Sequence, residues 1–221
     1  MIREVDYFGI NERLIDFARN TCNDTVTFLQ IGSGDGVTHD PLYQFIVTYN
    51  WSGILIEPVP YQFEQLRANY KYEDLNLELY NIAVAKEYKS ETFYYLKENG
   101  DRLPYWYNQL GSTDKNLILS HKNIIPQIDK YITSIELEFV TLESILSKSK
   151  FKTFDVLHID AEGQDMDILN YINIENLGVR CLLFEHKHTS KQPVQSYCKY
   201  LEKIGYELFQ NTEDTLAILD C

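Results

Sequence analysis

The stretch Val26-Thr-Phe-Leu-Gln-Ile-Gly-Ser-Gly-Asp-Gly36 constrains the chain more than any other. Its first half alternates β-formers and apolar residues, the pattern of a buried strand. Its second half places glycine at every other position, Gly32, Gly34 and Gly36. Glycine at a strand end permits positive φ and removes the Cβ that would hold a ligand off the backbone. The spacing is G-x-G-x-G, not the dinucleotide G-x-G-x-x-G, and a bare turn would also account for it.

Downstream strands add to the signal. Trp51-Ser-Gly-Ile-Leu-Ile-Glu57-Pro58 is a short apolar strand ending in a carboxylate. Glu57 lies roughly twenty to twenty-five residues past the glycines, where a βαβ unit places the acid that binds a ribose diol. Leu77-Glu-Leu-Tyr-Asn-Ile-Ala83 reads as a third strand, whose end (Asn81, Ile82, Ala83) suits adenine contacts. Phe154-Asp-Val-Leu-His-Ile-Asp160-Ala-Glu162-Gly163 reads as a fourth, ending in two carboxylates. Four strand ends aimed at one crevice are more specific than any one alone.

Helical spacings separate these strands. Leu14, Ile15 and Ala18 mark an N-terminal helix within residues 1–24, and Leu42, Phe45, Ile46 and Tyr49 follow the helix start at Asp40-Pro41. Phe63, Leu66 and Tyr70, then Met166, Ile168, Leu169 and Ile172, and last residues 193–204, continue the rhythm. Alternating strand and helix predicts an α/β fold with a mostly parallel, Rossmann-like sheet. Residues 205–210 and 214–219 are separated by a short turn, so they should form an antiparallel hairpin at a sheet edge. At 221 residues the expectation is a single domain over 1–221.

The stretch 87–143 breaks the pattern with two added strands, Glu91–Leu96 and Ile135–Thr141, around a long polar and aromatic connection. Such a connection inside a compact domain is usually functional or disordered. Tyr105, Trp106 and Tyr107 suit either a sugar-stacking wall or the core of a folded lid. His121 is a base candidate if the segment closes, and otherwise a surface histidine.

The net charge of −13 repels phosphate backbones, and Lys148, Lys150 and Lys152 read as a solvated loop, so nucleic acid is not the expected partner. No apolar run approaches membrane-spanning length, and the N-terminus lacks a signal-peptide layout. The four cysteines have no ligand-like spacing, so a reducing, cytoplasmic setting is expected.

The assembled pieces resemble the FkbM family of methyltransferases. The matching segments are 28–36, 51–58, Asn81-Ile-Ala83, Leu110-Gly-Ser112, Val140-Thr-Leu142 and 155–163, with Glu185, His188 and Gly205-Tyr206 completing the order. The resemblance implies a class I methyltransferase fold and an O-methyltransferase using S-adenosylmethionine, with sugar or polyketide hydroxyls as usual acceptors. A sugar or glycan, such as a deoxyhexose, is the preferred acceptor. RNA or protein methylation, or a non-catalytic nucleoside-binding module, are the alternatives. Fusion to or association with glycosyltransferases is a further expectation, since such domains are often fused.

The cofactor set expected is Gln30, Gly32, Ser33, Gly34, Asp35, Gly36, Glu57, Asn81, Ile82, Ala83 and Asp160. Gln30 stands two residues before the first glycine, where an acid often holds the methionine ammonium; Asp35 or Asp160 would then supply the charge. Methyl transfer needs the acceptor oxygen about 3 Å from the methyl carbon and in line with the sulfonium, plus removal of a hydroxyl proton. Asp160, His158, Glu162 and His121 are the catalytic candidates, His158 equally fitting a core histidine. Ser112 (from the resemblance alone), Glu162, Glu185, His188 and Trp106 are the acceptor-binding candidates. Asp160 and Glu185 would also suit a site for Mg²⁺ or Mn²⁺.

Overall fold

The computed structural model describes residues 2–21, 25–71, 75–97, 103–104, 107, 110–187 and 189–219. Among the described residues the main sheet has eight strands. In spatial order they are β4 (Leu77–Tyr80), β3 (Ser52–Ile56), β2 (Thr27–Ile31), β9 (Val156–Ile159), β10 (Cys181–Glu185), β12 (Asp214–Leu219), β11 (Tyr206–Gln210) and β1 (Arg3–Glu4). Among these described strands only β12 runs against its neighbours.

The strands alternate cleanly between two cores. Leu29, Ile31, Ile54, Ile56, Leu157, Ile159, Leu182 and Phe184 face one side, against α5 (Leu142–Lys148), α6 (Asp165–Tyr171) and α7 (Lys191–Lys203). Phe28, Leu55, Val156, Cys181 and Leu183 face the other, against α1 (Tyr7–Asn20), α2 (Tyr43–Tyr49) and α3 (Pro60–Asn69). Side chains two apart share a face of a strand, so a parallel strand covered on both sides is apolar at nearly every position. Burying each large side chain contributes about 1.5–3 kcal/mol. Among the buried strand residues on the α1–α3 side the polar ones are Gln30 and His158, register partners across β2 and β9.

Helix ends follow from capping. The Asp6 carboxylate accepts the Gly9 N–H at the start of α1, and Thr141 Oγ1 accepts the Ser144 N–H at the start of α5. At the lower end of the sheet Asp155 Oδ2 accepts both the backbone N–H and the hydroxyl of Thr27, tying β9 to β2.

A second, four-stranded sheet stands beside the first, ordered β5 (Ala83–Val84), β8 (Ile132–Val140), β6 (Lys89–Leu96) and β7 (Gly111–Ser112). A short helix, α4 (Lys115–Leu119), and 3₁₀ turns at Ser120–Asn123 and Ile128–Lys130 cap it, closing a small core of Leu96, Leu110, Ile118, Ile125 and Ile128.

Two expectations change. The strand read over Leu77–Ala83 breaks after Tyr80, because the Asn81 amide donates to the carbonyls of Glu57 and Pro58 and turns the chain into the second sheet. The C-terminal hairpin forms, but it is not the sheet edge: β12 lies inside, between β10 and β11, and β1 pairs beyond β11. Two residues of strand carry no readable period. Among the described residues no helix is long and apolar enough to cross a membrane.

Candidate active site

The carboxyl ends of β2, β3 and β9 open into one cleft, walled on its far side by the second sheet. This is where open α/β sheets bind ligands. The glycine loop is held from both sides. Gly32 and Ser33 donate their N–H groups to the Ile56 carbonyl, and Asp160 donates its own to Ile31. Gly32 has φ +82°, and a Cβ there would stand 1.7 Å from the Asp160 carbonyl oxygen, so glycine is required for the loop to meet β9. At Gly34, φ +53°, a Cβ would meet nothing within 4 Å; this is open backbone at the cleft.

Glu57 is buried at the end of β3 with its carboxylate aimed back at the loop. Oε2 accepts the Gly34 N–H at 2.8 Å and Oε1 accepts the Val59 N–H at 2.7 Å. When ionised, each oxygen keeps a second lone pair for a ligand hydroxyl. Burial pushes its pKa up to about 8 against those two hydrogen bonds, with Asp160 and Asp35 adding repulsion.

The turn after β9 is built around Asp165. Its Oδ1 accepts the Ala161 N–H and its Oδ2 the Gly163 N–H, both at 3.2 Å. Between them Glu162 takes φ +49°, a left-handed conformation costly for a residue with a Cβ. Asp160 and Glu162 both reach the cleft. Burial pushes Asp160 up to about 7, helped by Asp165, Asp214 and Asp40 and opposed by Lys187. Glu162 is raised by burial and then by Asp160 and Glu185. His158 sits deeper, and burial alone pushes it down to about 4, leaving a neutral ring at pH 7.

Of the expected residues, Gln30, Gly32, Ser33, Gly34, Asp35, Glu57, Ile82, Ala83, His158, Asp160 and Glu162 line the cleft. Gly36, Asn81, Ser112, Glu185 and His121 do not. Gly36 faces α3, its carbonyl accepting the Tyr70 hydroxyl. Asn81 is spent on the two carbonyl bonds that end β4. Ser112 Oγ accepts the Asp114 N–H, leaving neighbouring Gly111 on the wall. Glu185 ends β10, its pKa pushed up to about 9 by burial and then by Asp160, Asp165 and Asp214. His121 belongs to the cap of the second sheet, its Nδ1 3.2 Å from the Leu117 carbonyl. Trp106 and His188 lie outside the described residues.

The cleft also takes in residues that the sequence did not mark: Thr38, Asp40, Gln62, Phe93, Phe139 and Gln164. Asp40-Pro41 signalled only a helix start, and Phe93 and Phe139 only strand alternation. Among the described residues no group of three or more His, Cys, Asp or Glu side chains is placed to hold a metal ion, so the expected Mg²⁺ or Mn²⁺ set of Asp160 and Glu185 gains no third ligand.

A sheet with a glycine-rich first loop, an acid at the end of the next strand and a single antiparallel strand within a C-terminal hairpin defines a class I S-adenosylmethionine-dependent methyltransferase. The residues fit that cofactor: a carboxylate at the ribose position, bare backbone at Gly34 and unpartnered buried polar atoms at the cleft floor. The methyltransferase FkbM domain model matches residues 30–208, and the chain belongs to that family. No curated protein matches the sequence.

Among solved structures, the N-terminal domain of human METTL16 in complex with S-adenosylhomocysteine is similar at 13% identity and a TM-score of 0.47, covering 96% of this chain and 68% of that one. An O-methyltransferase from Bacillus cereus in complex with S-adenosylhomocysteine is similar at 12% identity and a TM-score of 0.44, covering 98% and 82%. The O-methyltransferase TomG from Streptomyces achromogenes, in complex with S-adenosylmethionine, is similar at 13% identity and 0.46, covering 96% and 79%.

Proposed function

We propose that this methyltransferase transfers the methyl group to a hydroxyl of a sugar, glycan or similar small polyol. The observation that carries the reading is a half-buried carboxylate, Asp160, in the same cleft as the glycine loop and Glu57, its pKa pushed up to about 7 by desolvation. S-adenosylmethionine supplies a methyl group already activated on a sulfonium. What the chain must add is position and a proton acceptor.

Glu57 would hold the ribose, with its two backbone hydrogen bonds fixing the carboxylate before any ligand arrives. Asp160 would take the hydroxyl proton. An acid with pKa about 7 is a competent base at neutral pH, whereas a His158 ring that protonates near 4 is a weak one. Glu162 would accept hydrogen bonds from neighbouring hydroxyls, and Phe93 and Phe139 offer an apolar wall to the acceptor ring. Among the described residues lining the cleft none is Lys or Arg, and the chain carries −13. That charge balance supports a neutral acceptor over a nucleic acid.

The same reading treats 1–221 as one methyltransferase domain with 87–143 inserted as a possible lid, working in a reducing cytoplasm alone or beside glycosyltransferases. The free, buried thiols of Cys181 and Cys198 accord with that compartment. Incubation with methyl-labelled cofactor and a panel of sugars, glycans and short RNAs tests the acceptor class. Label in a sugar hydroxyl is expected; label in RNA alone refutes it.

A further inference from the structure

We infer that Asp40, with the Gln30 amide beside it, anchors the α-ammonium of the cofactor's amino-acid end. This rests on the cofactor reading above. It goes beyond that reading by assigning the charge to a residue past the glycine loop.

Three polar side chains meet on the α1–α3 side of the cleft. Gln30 is 1% exposed and His158 6%, adjacent across β2 and β9. Asp40 sits just ahead of α2, and the Gln30 side chain neighbours its carboxyl. Each nonetheless has one sealed atom with no hydrogen-bond partner: Gln30 Oε1, His158 Nδ1 and Asp40 Oδ2. Buried polar atoms are nearly always paired, and leaving one unpaired costs about 1–3 kcal/mol. Three of them lining one cavity mark the seat of a ligand's polar group.

The chemistry of that group follows from the donors and charges present. Asp40 Oδ1 already accepts the Leu42 N–H at 2.7 Å, which fixes the carboxylate and leaves Oδ2 over. Burial raises the Asp40 pKa to about 7, and Asp35 adds repulsion, both of which a bound cation would offset. His158 does not supply a positive charge, and no Lys or Arg is among the described lining residues. A cation with several N–H groups answers all of this. A primary ammonium has three donors, enough for Asp40 Oδ2, Gln30 Oε1 and one more acceptor. A sulfonium has none. Glu57 occupies the other end of the loop, so nucleoside and amino-acid ends are recognised by different acids.

The test is titration calorimetry of the whole chain with S-adenosylhomocysteine and with methylthioadenosine, which keeps the nucleoside and thioether but lacks the amino-acid end. Asp40→Asn should weaken S-adenosylhomocysteine by about 10- to 100-fold, the worth of one charge-assisted hydrogen bond, and leave methylthioadenosine unchanged. Asp40→Glu, which restores the charge, should recover part of the loss. Unchanged S-adenosylhomocysteine affinity in Asp40→Asn overturns the anchor, as does equal loss of both ligands. The wild-type chain gives a check independent of any variant's folding: S-adenosylhomocysteine with its amino group replaced by hydrogen should bind about 10- to 100-fold more weakly. Equal affinity there also overturns the anchor. If wild type binds neither natural ligand, the cofactor reading itself is what fails.

Discussion

Replacing Gly32 or Gly34 by alanine adds the same methyl group two residues apart, with sharply different consequences expected. At Gly32 the new Cβ falls 1.7 Å from the Asp160 carbonyl oxygen and 2.7 Å from its carbon. A carbon–oxygen contact needs about 3.3 Å, so loop and β9 must part by roughly 1.5 Å. Neither side is free to move, because Asp160 N–H is bonded to Ile31 and the loop to Ile56. With the added strain of alanine at positive φ, the cost is about 4 kcal/mol or more. At Gly34 no atom lies within 4 Å, so only the conformational term remains, about 1–2 kcal/mol. For a chain of this size the melting temperature should fall by about 8 °C or more for Gly32→Ala and about 2–8 °C for Gly34→Ala. The Gly34 methyl instead occupies backbone that the ligand must approach, so S-adenosylhomocysteine affinity should drop at least about tenfold. Thermal melts and calorimetric titration of the two variants decide the matter. Equal destabilisation, or wild-type affinity in Gly34→Ala, refutes the division of roles within the loop.

Glu57→Ala strands the N–H groups of Gly34 and Val59, so it should cost about 2 kcal/mol or more in urea unfolding and abolish S-adenosylhomocysteine binding. Surviving affinity would remove Glu57 from the ribose. Asp160→Asn should bind the cofactor but transfer label at least about 100-fold more slowly, and undiminished turnover would acquit it as the base. Stability of the ligand-free protein should fall as pH rises. Asp40, Glu57 and Asp160 are raised from 3.8, 4.5 and 3.8 to about 7, 8 and 7, so the folded state holds protons that the unfolded chain releases. Their contribution is full below the unfolded values and lost through the folded ones. Melting temperatures between about pH 5.5 and 8.5 should therefore decline, less steeply for Glu57→Gln; equal slopes would contradict a buried, proton-holding Glu57.

Much of this protein is readable from short-range pattern. The run into Gly32 marks a buried strand and a bare turn, and Glu57 sits at the next strand end; both line the cleft. The helices over Leu14–Ala18 and Phe45–Tyr49 follow from spacing, since a 3.6-residue period records which side chains share a face. The pieces that fail are those without a period or with a distant partner. β1 is too short to show one, and Ser112 stands one residue from the cleft-lining Gly111.

What the linear chain carries, then, is which residues are buried, where strands end and which turns demand glycine, because propensity and periodicity act over a few neighbours. Only folding brings Ala83 beside Phe139, sets Gln30 against His158 and turns Asp40 from a helix-start signal into a carboxyl group with one unpaired oxygen in a cavity. Those neighbours are chosen by sheet pairing and side-chain fit across long stretches of chain. Burial then alters the acids' chemistry in ways that their local sequence does not encode.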